Sequence, residues 1–342
     1  MTARGRHTRS ALYERLHIQV AELREQLGGL PTPQDAQAIW HDIWLDETHH
    51  STAIEGNTLV LRQVQRLLDD GRAVGNKELR EYMEVRGYAN AAEWVYRHGV
   101  EPSSWSGERL ITLTEIRQVQ AMALGPVWDV APHPEAGDDE HPGSFRRHDI
   151  ETFPGGMKPP SWTDVPAHLD RWLAEVEVLR RLDAPRVAAE LAWLHTGFER
   201  IHPFLDGNGR AGRLLLNLML VRLGYPPAFI RKADRERYLG ALRHADEGDC
   251  GPLGELLARA ILDNLHRFVV PAVADPAQLV PLPALTGERL SANALRVAAV
   301  RGRLQAVKGR DGSWRSTRAW VDEYVATRYR RDGAAEAGGA SS

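Results

Sequence analysis

Cysteine is almost absent from this chain of 342 residues, which contains only Cys250. A single thiol excludes an intrachain disulfide and disfavours a zinc site built on cysteines. Long apolar runs are also missing, and the polar, basic first residues do not resemble a signal peptide. The formal net charge of -3 gives no overall attraction to nucleic acid or to an anionic membrane. We therefore expect a cytoplasmic protein with no membrane partner.

Apolar residues recur at spacings of three and four along most of the chain, which predicts helices. The predicted helical ranges are Leu12–Leu27, Ala36–Leu45, Leu61–Leu68, Leu79–Tyr96, Leu110–Ala123, Val165–Leu182, Pro185–Arg200, Arg210–Leu223, Arg235–Ala245 and Leu253–Phe268. One β-hairpin is predicted for Ser144–Pro160, where Pro154-Gly155-Gly156 is a turn signal. The predicted fold class is mainly α, with this hairpin as an exception.

Changes in composition divide the chain into five parts. Residues 1–108 are predicted to form a helical N-terminal region, and residues 109–268 a helical core that carries the chemistry. Residues 269–290 are rich in proline and predict a linker. A small basic module follows at 291–330, and the Gly/Ala/Ser-rich tail at 331–342 is expected to be disordered.

The segment that carries chemistry is residues 202–213, with the sequence HPFLDGNGRAGR. Its glycines Gly207 and Gly209 let the backbone curl and expose N–H groups. A helix begins directly afterwards, and its first N–H groups add to an anion site suited to phosphates. Arg210 and Arg213 are three residues apart, so both guanidinium groups can reach phosphate oxygens from one helix face. The segment therefore predicts a phosphate site.

Two further side chains complete a site for phosphoryl transfer. Asp206 provides a carboxylate beside the phosphates, which suits Mg²⁺. His202 is suited to act as a general base near neutral pH. The same segment matches the dinucleotide fingerprint GxGxxG, but that fingerprint needs a preceding strand, and residues 187–200 are helical in pattern. A P-loop is also excluded, because Arg210 stands where Gly-Lys-Ser/Thr is required.

The segment matches the Fic-family motif HxFx(D/E)GNGRxxR at every specified position, and the chain resembles this family over most of residues 30–265. The resemblance implies an all-helical fold with one β-hairpin flap. It also implies an enzyme, a nucleotidyltransferase that moves AMP from ATP onto a Tyr, Thr or Ser hydroxyl of a protein (AMPylation). By the same resemblance, His202 deprotonates that hydroxyl and Asp206 holds Mg²⁺ across the α- and β-phosphates.

The resemblance assigns the remaining motif residues to ATP. Gly207, Asn208 and Gly209 would form the anion hole, Arg210 would hold the β-phosphate, and Arg213 the γ-phosphate. The predicted hairpin stands where the family has its flap, whose exposed edge pairs with the target segment and presents its hydroxyl.

A second motif lies upstream at residues 51–56, with the sequence STAIEG. It resembles the family's inhibitory motif (S/T)xxxE(G/N), with Ser51 and Glu55 at the defining positions. The resemblance implies autoinhibition, in which Glu55 pairs with Arg213 and keeps that arginine from the γ-phosphate. The position of the motif before the core resembles the class with an N-terminal inhibitory helix.

Residues 291–330 resemble a winged helix, in the order helix, hairpin, helix. The predicted hairpin turns at 309–312, and Ser291 and Thr317 are predicted to cap the two helices. The module has nine Lys and Arg residues against three Asp and Glu, a net charge of +6. A contact with DNA and the recruitment of a protein partner are equally compatible with this charge.

Three functions remain in competition at this point. The first is AMP transfer to a protein substrate, and to the chain itself, autoinhibited by Glu55. The second uses the same site in reverse, with Glu55 orienting a water that removes AMP from a modified protein. The third is a DNA-binding regulator with a Fic scaffold, which the intact His202 disfavours because a scaffold needs no general base. A homodimer and the identity of the target are left open.

Overall fold

The computed structural model describes most of the chain, namely residues 8–101, 109–151, 157–181, 185–287 and 290–337. The described residues fall into two compact units. One lies within Met1–His17 and Thr32–Ile261, and the other within Ile18–Pro31 and Leu262–Ser342. Among the described residues, no helix is long and apolar enough to cross a membrane.

The first unit is built from helices, so the predicted mainly α fold class is confirmed. In chain order they are α1 (Arg9–Gln26, of which residues 18–26 belong to the second unit), α2 (Gln37–Ile54), α3 (Leu61–Asp69), α4 (Leu79–Val100), α5 (Leu113–Trp128), α6 (Val165–Leu179), α7 (Val187–Ile201), α8 (Asn208–Arg222), α9 (Arg235–Asp246) and α10 (Gly251–Asn264).

Helix α8 lies at the centre of the first unit, packed against α2, α4, α5 and α7. Its side chains are buried from Arg210 to Val221, on all faces of the helix. Helices α4 and α5 also pack closely, because a Cβ at Gly87 would collide with the carbonyl oxygen of Ala123. The polar residues of α8 therefore need partners inside the protein, since buried polar groups are costly without them.

Helix α2 is longer than its prediction, which ended at Leu45. It continues to Ile54 and so includes most of the second motif. The apolar periodicity stops because Asp46, Glu47 and Thr48 are polar, yet all three side chains are buried. For Glu47, hydrogen bonds to Tyr88, Tyr96 and Asn217 take the place of the apolar pattern by which a core-facing helix is usually recognised.

The predicted flap hairpin differs from the structure. Its described residues, 144–151 and 157–160, contain no strand, and its predicted turn lies outside the described residues. We call these two stretches the flap arms. They are joined by the side chain of Arg146, which donates from Nη1 to the carbonyl oxygen of His148 at 3.0 Å and from Nη2 to that of Pro160 at 2.5 Å. A buried guanidinium thus takes the place of a backbone ladder in the described arms.

The second unit combines short helices with a small sheet. Its elements are a π-helical turn (Leu265–Val269), α11 (Val270–Val273), β1 (Val280–Pro281), a 3-10 helix (Leu282–Leu285), α12 (Ala292–Val300), β2 (Val307–Lys308), β3 (Trp314–Ser316) and α13 (Arg318–Ala337). The sheet is antiparallel with the order β1–β3–β2. The caps predicted for the two helices are confirmed: Ser291 Oγ accepts from the N–H of Ala294, and Thr317 Oγ1 from that of Trp320.

The stretch predicted to be a linker, 269–290, is part of this folded unit. Val280 pairs with Ser316 in the sheet, and Leu282 and Leu285 are buried. Pro281 is compatible with strand β1 because β1 lies at the edge of the sheet, where a missing N–H is tolerated. Helix α13 also enters the predicted tail, and residues 338–342 lie outside the described residues.

Candidate active site

The loop that joins α7 to α8, residues 202–207, begins with a residue in the left-handed backbone conformation. Helix α7 ends at Ile201, and His202 adopts φ 48° and ψ 59°. Among the described residues, it is the one non-glycine with positive φ. Its N–H donates to the carbonyl oxygen of Phe198 at 3.1 Å, and imidazole Nδ1 lies 3.2 Å from the carbonyl oxygen of Glu199. Because a carbonyl only accepts, Nδ1 carries the proton and Nε2 is the nitrogen able to accept one.

The surroundings of His202 keep its imidazole neutral. Burial lowers the pKa of His202 to about 4, although the hydrogen bond to Glu199 acts in the opposite direction. The positive charge of Arg146 adds to the lowering. At neutral pH the ring is therefore in the form that accepts a proton.

Asn208 holds the loop closed. Its Oδ1 accepts from the N–H of Phe204 at 2.9 Å, and its Nδ2 donates to the carbonyl oxygen of Phe204 at 2.8 Å. Gly207 has φ 79°, a conformation that favours glycine. Gln120 of α5 donates from Nε2 to the carbonyl oxygen of Asp206 at 3.0 Å. The N-terminus of α8 is thus presented on a fixed turn.

A cleft of about 420 Å³ lies beside this loop, in the size range typical of small-molecule sites. Its lining residues are Glu55, His133, Glu135, Ile150, Glu151, His202, Leu205, Asp206, Gly207, Asn208, Gly209 and Arg210. The residues predicted as base, metal ligand, anion hole and β-phosphate ligand therefore lie on one cleft, and so does Glu55.

Asp206 is the loop's one carboxylate. Its Oδ1 accepts from the N–H of Gly207 at 2.5 Å and lies 3.2 Å from Nη2 of Arg210. The described residues contain no group of three or more His, Cys, Asp or Glu side chains placed to hold a metal ion. Mg²⁺ is usually held by one or two carboxylates together with substrate phosphates. Asp206 is a carboxylate of the kind that takes part in such a site, and it lines the cleft.

Arg213 is buried and is held by the last turn of α2. Its Nη2 lies 2.7 Å from Glu55 Oε1, its Nε donates to Ser51 Oγ at 2.7 Å, and Nη2 also donates to the carbonyl oxygen of Ser51 at 3.1 Å. Burial works against both charges, but their mutual attraction lowers the pKa of Glu55 and raises that of Arg213. Both groups are therefore charged at neutral pH.

Comparison with known proteins identifies the core of this unit. Residues 110–220 match the family model described as "Fic/DOC family". The chain carries a Fic domain.

Two similar relatives are both named protein adenylyltransferase Fic. The chain is 32% identical over 286 residues to the protein from Drosophila erecta, which covers 78% of this chain and 53% of the relative. It is 33% identical over 244 residues to the protein from Aedes aegypti, which covers 70% and 44%. The chain spans about half the length of the curated relatives it matches.

Solved structures of Fic proteins resemble the fold. A Fic domain containing signaling protein from Bacteroides thetaiotaomicron superimposes with a TM-score of 0.60 at 24% identity, over 77% of this chain and 95% of that chain. Fic-1 from C. elegans gives a TM-score of 0.60 at 27% identity, over 76% and 72%.

Two stripes of residues join the C-terminal part of α2 to α8, and the stripe on α8 begins within the Fic motif. Each stripe has a spacing of four, which places its members on one helix face. The stripes are Glu47, Ser51 and Glu55 on α2, and Gly209, Arg213 and Asn217 on α8. Asn217 Nδ2 donates to Glu47 Oε1 at 2.8 Å, and a Cβ at Gly209 would stand 2.7 Å from Glu55 Oε1. The glycine thus leaves room for the Glu55 carboxylate.

Sequence reasoning missed Glu47, which is 1% exposed. The hydroxyl of Tyr88 donates to its Oε1 at 2.8 Å, and the hydroxyl of Tyr96 donates to Oε2. Burial raises the pKa of Glu47, against these hydrogen bonds. The signal was its place in the i, i+4 series with Ser51 and Glu55.

Arg235, at the start of α9, was also missed. Its Nε donates to the carbonyl oxygen of Ile54 at 2.8 Å, and so holds the C-terminus of α2. A cation at this end of a helix is favourable because the last carbonyls have no intrahelical partner. The contact joins elements about 180 residues apart in the chain, for which no local pattern exists.

Proposed function

We propose that this chain transfers AMP from ATP to a hydroxyl of a protein, and that Glu55 inhibits the transfer. The observation that carries the proposal is the common cleft of His202, Asp206 and the N-terminus of α8, with Glu55 at its edge on Arg213. The name shared by the two relatives supports the activity.

The residues of the cleft have separate tasks in this reaction. The N–H groups at the start of α8 and the Arg210 guanidinium bind the phosphates. His202 Nε2 accepts the proton as the target oxygen bonds to the α-phosphorus, and the bond to the β-phosphate oxygen breaks to release pyrophosphate. Asp206 would hold Mg²⁺, which supplies neutralisation of the phosphate charge.

The inhibition follows from competition for one guanidinium. Arg213 donates through Nε and Nη2 to Ser51 and Glu55, so it is not available to a γ-phosphate in the same geometry. The Glu55 carboxylate also adds a negative charge to the cleft that the phosphates must enter. Both effects move the α-phosphate out of line with the attacking hydroxyl, and a small misplacement of reacting atoms costs about 10²-fold in rate.

The test compares the protein with Glu55→Gly, using α-labelled ATP and a cell lysate, with labelled proteins identified by mass spectrometry. Asp42→Gly is a matched control, because it removes an acid from the same helix at a position where the side chain is 67% exposed. We expect labelling of protein, including the chain itself, in Glu55→Gly alone. A Glu55→Gly protein that binds ATP but labels nothing would exclude the transfer.

Removal of AMP is the second candidate, because the Glu55 carboxylate lines the same cleft as His202. There it would orient a water for attack on the phosphorus of a modified target. Loss of AMP release from a labelled protein on Glu55→Gly would assign Glu55 to this reverse reaction.

We further propose that the second unit is a winged-helix-like module that binds a polyanion. Two of its arginines are structural: Arg315 pairs with Glu22 at 2.6 Å, and Arg318 donates to the carbonyl oxygens of Ala284 and Leu285. The exposed basic residues lie on and after α12 and on the β2–β3 hairpin, and are Arg296, Arg301, Arg303, Lys308 and Arg310. Their clustering supports nucleic acid as the polyanion.

A further inference from the structure

Arg146 is the most completely enclosed cation near the active site. Its side chain is fully buried. In the described part of the chain, the acceptors of its side-chain hydrogen bonds are all backbone carbonyl oxygens. The nearest carboxylate oxygen, on Asp149, is 3.7 Å away on a side chain that is 66% exposed. A buried guanidinium without a close carboxylate is costly unless its N–H groups are used.

One group of its bonds reaches the catalytic loop. Arg146 Nε donates to the carbonyl oxygen of His202 at 2.9 Å, and its backbone N–H donates to that of Pro203 at 2.9 Å. The ring of its neighbour Phe145 packs 5.4 Å from the ring of Phe204. These contacts hold the left-handed turn that ends α7, where a helix leaves its carbonyls unpaired.

The other bonds reach the flap arms. Nη1 and Nη2 donate to the carbonyl oxygens of His148 and Pro160, one in each arm. The planar guanidinium of arginine can donate hydrogen bonds in three directions at once, whereas the ammonium of lysine is a compact point charge at the end of a flexible chain. Arg146 is not among the residues that line the cleft.

We propose that Arg146 is a positioning residue for the transfer reaction, which fixes the turn that aims His202 and joins that turn to both flap arms. This inference rests on the function proposed above. The distance between the His202 imidazole and the flap arms, which are expected to present the target hydroxyl, would then stay fixed. Loss of the fork would leave nucleotide binding intact while the imidazole and the arms lose their common support.

The test uses the full chain with Glu55→Gly, in which labelling is expected, and adds Arg146→Lys or Arg146→Met. The rate constant of self-labelling at saturating ATP should fall about 10–100-fold in both variants, since a misplacement of the reacting groups near 1 Å has this effect. The ATP concentration for half-maximal rate should stay within about twofold, because Arg146 does not line the cleft.

The pH profile separates this role from a loss of folded protein. In the Glu55→Gly background, the groups that act on the pKa of His202 are Arg146, the Glu199 carbonyl and Asp206. The other titratable residues that line the cleft are His133, Glu135 and Glu151. Arg146→Met removes a nearby positive charge, so the pKa of His202 should rise, and in a series from pH 7 to pH 5 the rate should begin to fall at a higher pH than that of Glu55→Gly alone. Arg146→Lys keeps the charge, so its rate should be low but its profile should stay flat over this range.

Arg318→Met is the matched control, because Arg318 also donates to two backbone carbonyls but lies in the second unit. It should leave the rate constant and the pH profile unchanged. If Glu55→Gly labels neither itself nor lysate proteins, the proposed function fails. If it labels and both Arg146 variants match it in rate constant and profile, the inference is overturned. Where Arg146→Met does not fold, Arg146→Lys decides: a loss of ATP binding there would show a general structural role and overturn the inference.

Discussion

Replacing Glu55 by glycine should activate this protein by an amount that the contacts allow to be worked out. The change removes one charge-assisted hydrogen bond, between Glu55 Oε1 and Arg213 Nη2 at 2.7 Å, and leaves both bonds to Ser51. Such a bond contributes about 1.5–3 kcal/mol. The Glu55 side chain is 40% exposed, so solvent screening places the value near the lower end of that range.

A free-energy change of about 1.5–2 kcal/mol corresponds to roughly 10–30-fold in the competition for Arg213. Realignment of the α-phosphate adds to this, so we expect AMP transfer to rise about 10–100-fold or more. Glycine suits the backbone at this position, because Glu55 follows the last turn of α2, so the loss of folding stability should not exceed that of the broken bond, about 1.5–2 kcal/mol. The control Asp42→Gly lies inside the helix and should lose about 1 kcal/mol of unfolding free energy without activation.

The assay is label incorporation from α-labelled ATP by four proteins side by side: the parent, Glu55→Gly, Arg213→Ala and the double variant. Arg213→Ala should not be activated, because it removes the γ-phosphate ligand together with the anchor of the inhibitor. The double variant should resemble Arg213→Ala, since groups that act as one unit are not additive. A parent protein that is already active and that Glu55→Gly leaves unchanged would refute the inhibition.

Three other outcomes are expected. In the activated background, His202→Ala should lower transfer by about 10²–10⁴-fold with ATP still bound. The rate of Glu55→Gly itself should stay flat from pH 8 to pH 5, because the pKa of His202 is about 4. Full activity of His202→Ala would show that His202 is not the general base. Asp206→Ala should weaken the dependence of the rate on Mg²⁺, and transfer that persists in excess chelator would contradict a metal role. In gel-shift titrations, Lys308→Gln with Arg310→Gln should weaken DNA binding and reduce its salt dependence; the absence of any shift at low salt would leave a protein partner for this module.

The grouping of the site's residues on one cleft was predictable because they are nearly contiguous in the sequence. His202, Asp206 and Arg210 lie within nine positions, and their types alone indicate a base, a metal ligand and an anion site. Most helices were predictable for a similar reason, since the apolar stripe of a helix is a local pattern.

The contacts that hold the site in place were not predictable. Arg146 acts on carbonyl groups, which every residue has, so no side-chain pattern marks its partners. Gln120 and Arg235 act across long separations in sequence. The flap arms show the same limit: the Pro154-Gly155-Gly156 turn signal suggested a hairpin, whereas the described residues are joined through the side chain of Arg146.

The burial of Glu47 bears on how such an inhibitor is released. Leaving a buried hydrogen-bonding group without its partner costs about 1–3 kcal/mol, and Glu47 has three such partners, so the middle of α2 is a fixed tether to α8. The turn with Ser51 and Glu55 would then act as a tethered ligand of Arg213, with an effective concentration in the millimolar range or above. Dilution does not lower that concentration, and a competing peptide in solution cannot match it. If Glu55 inhibits as proposed, the proportion of uninhibited molecules would therefore not depend on the concentration of the chain.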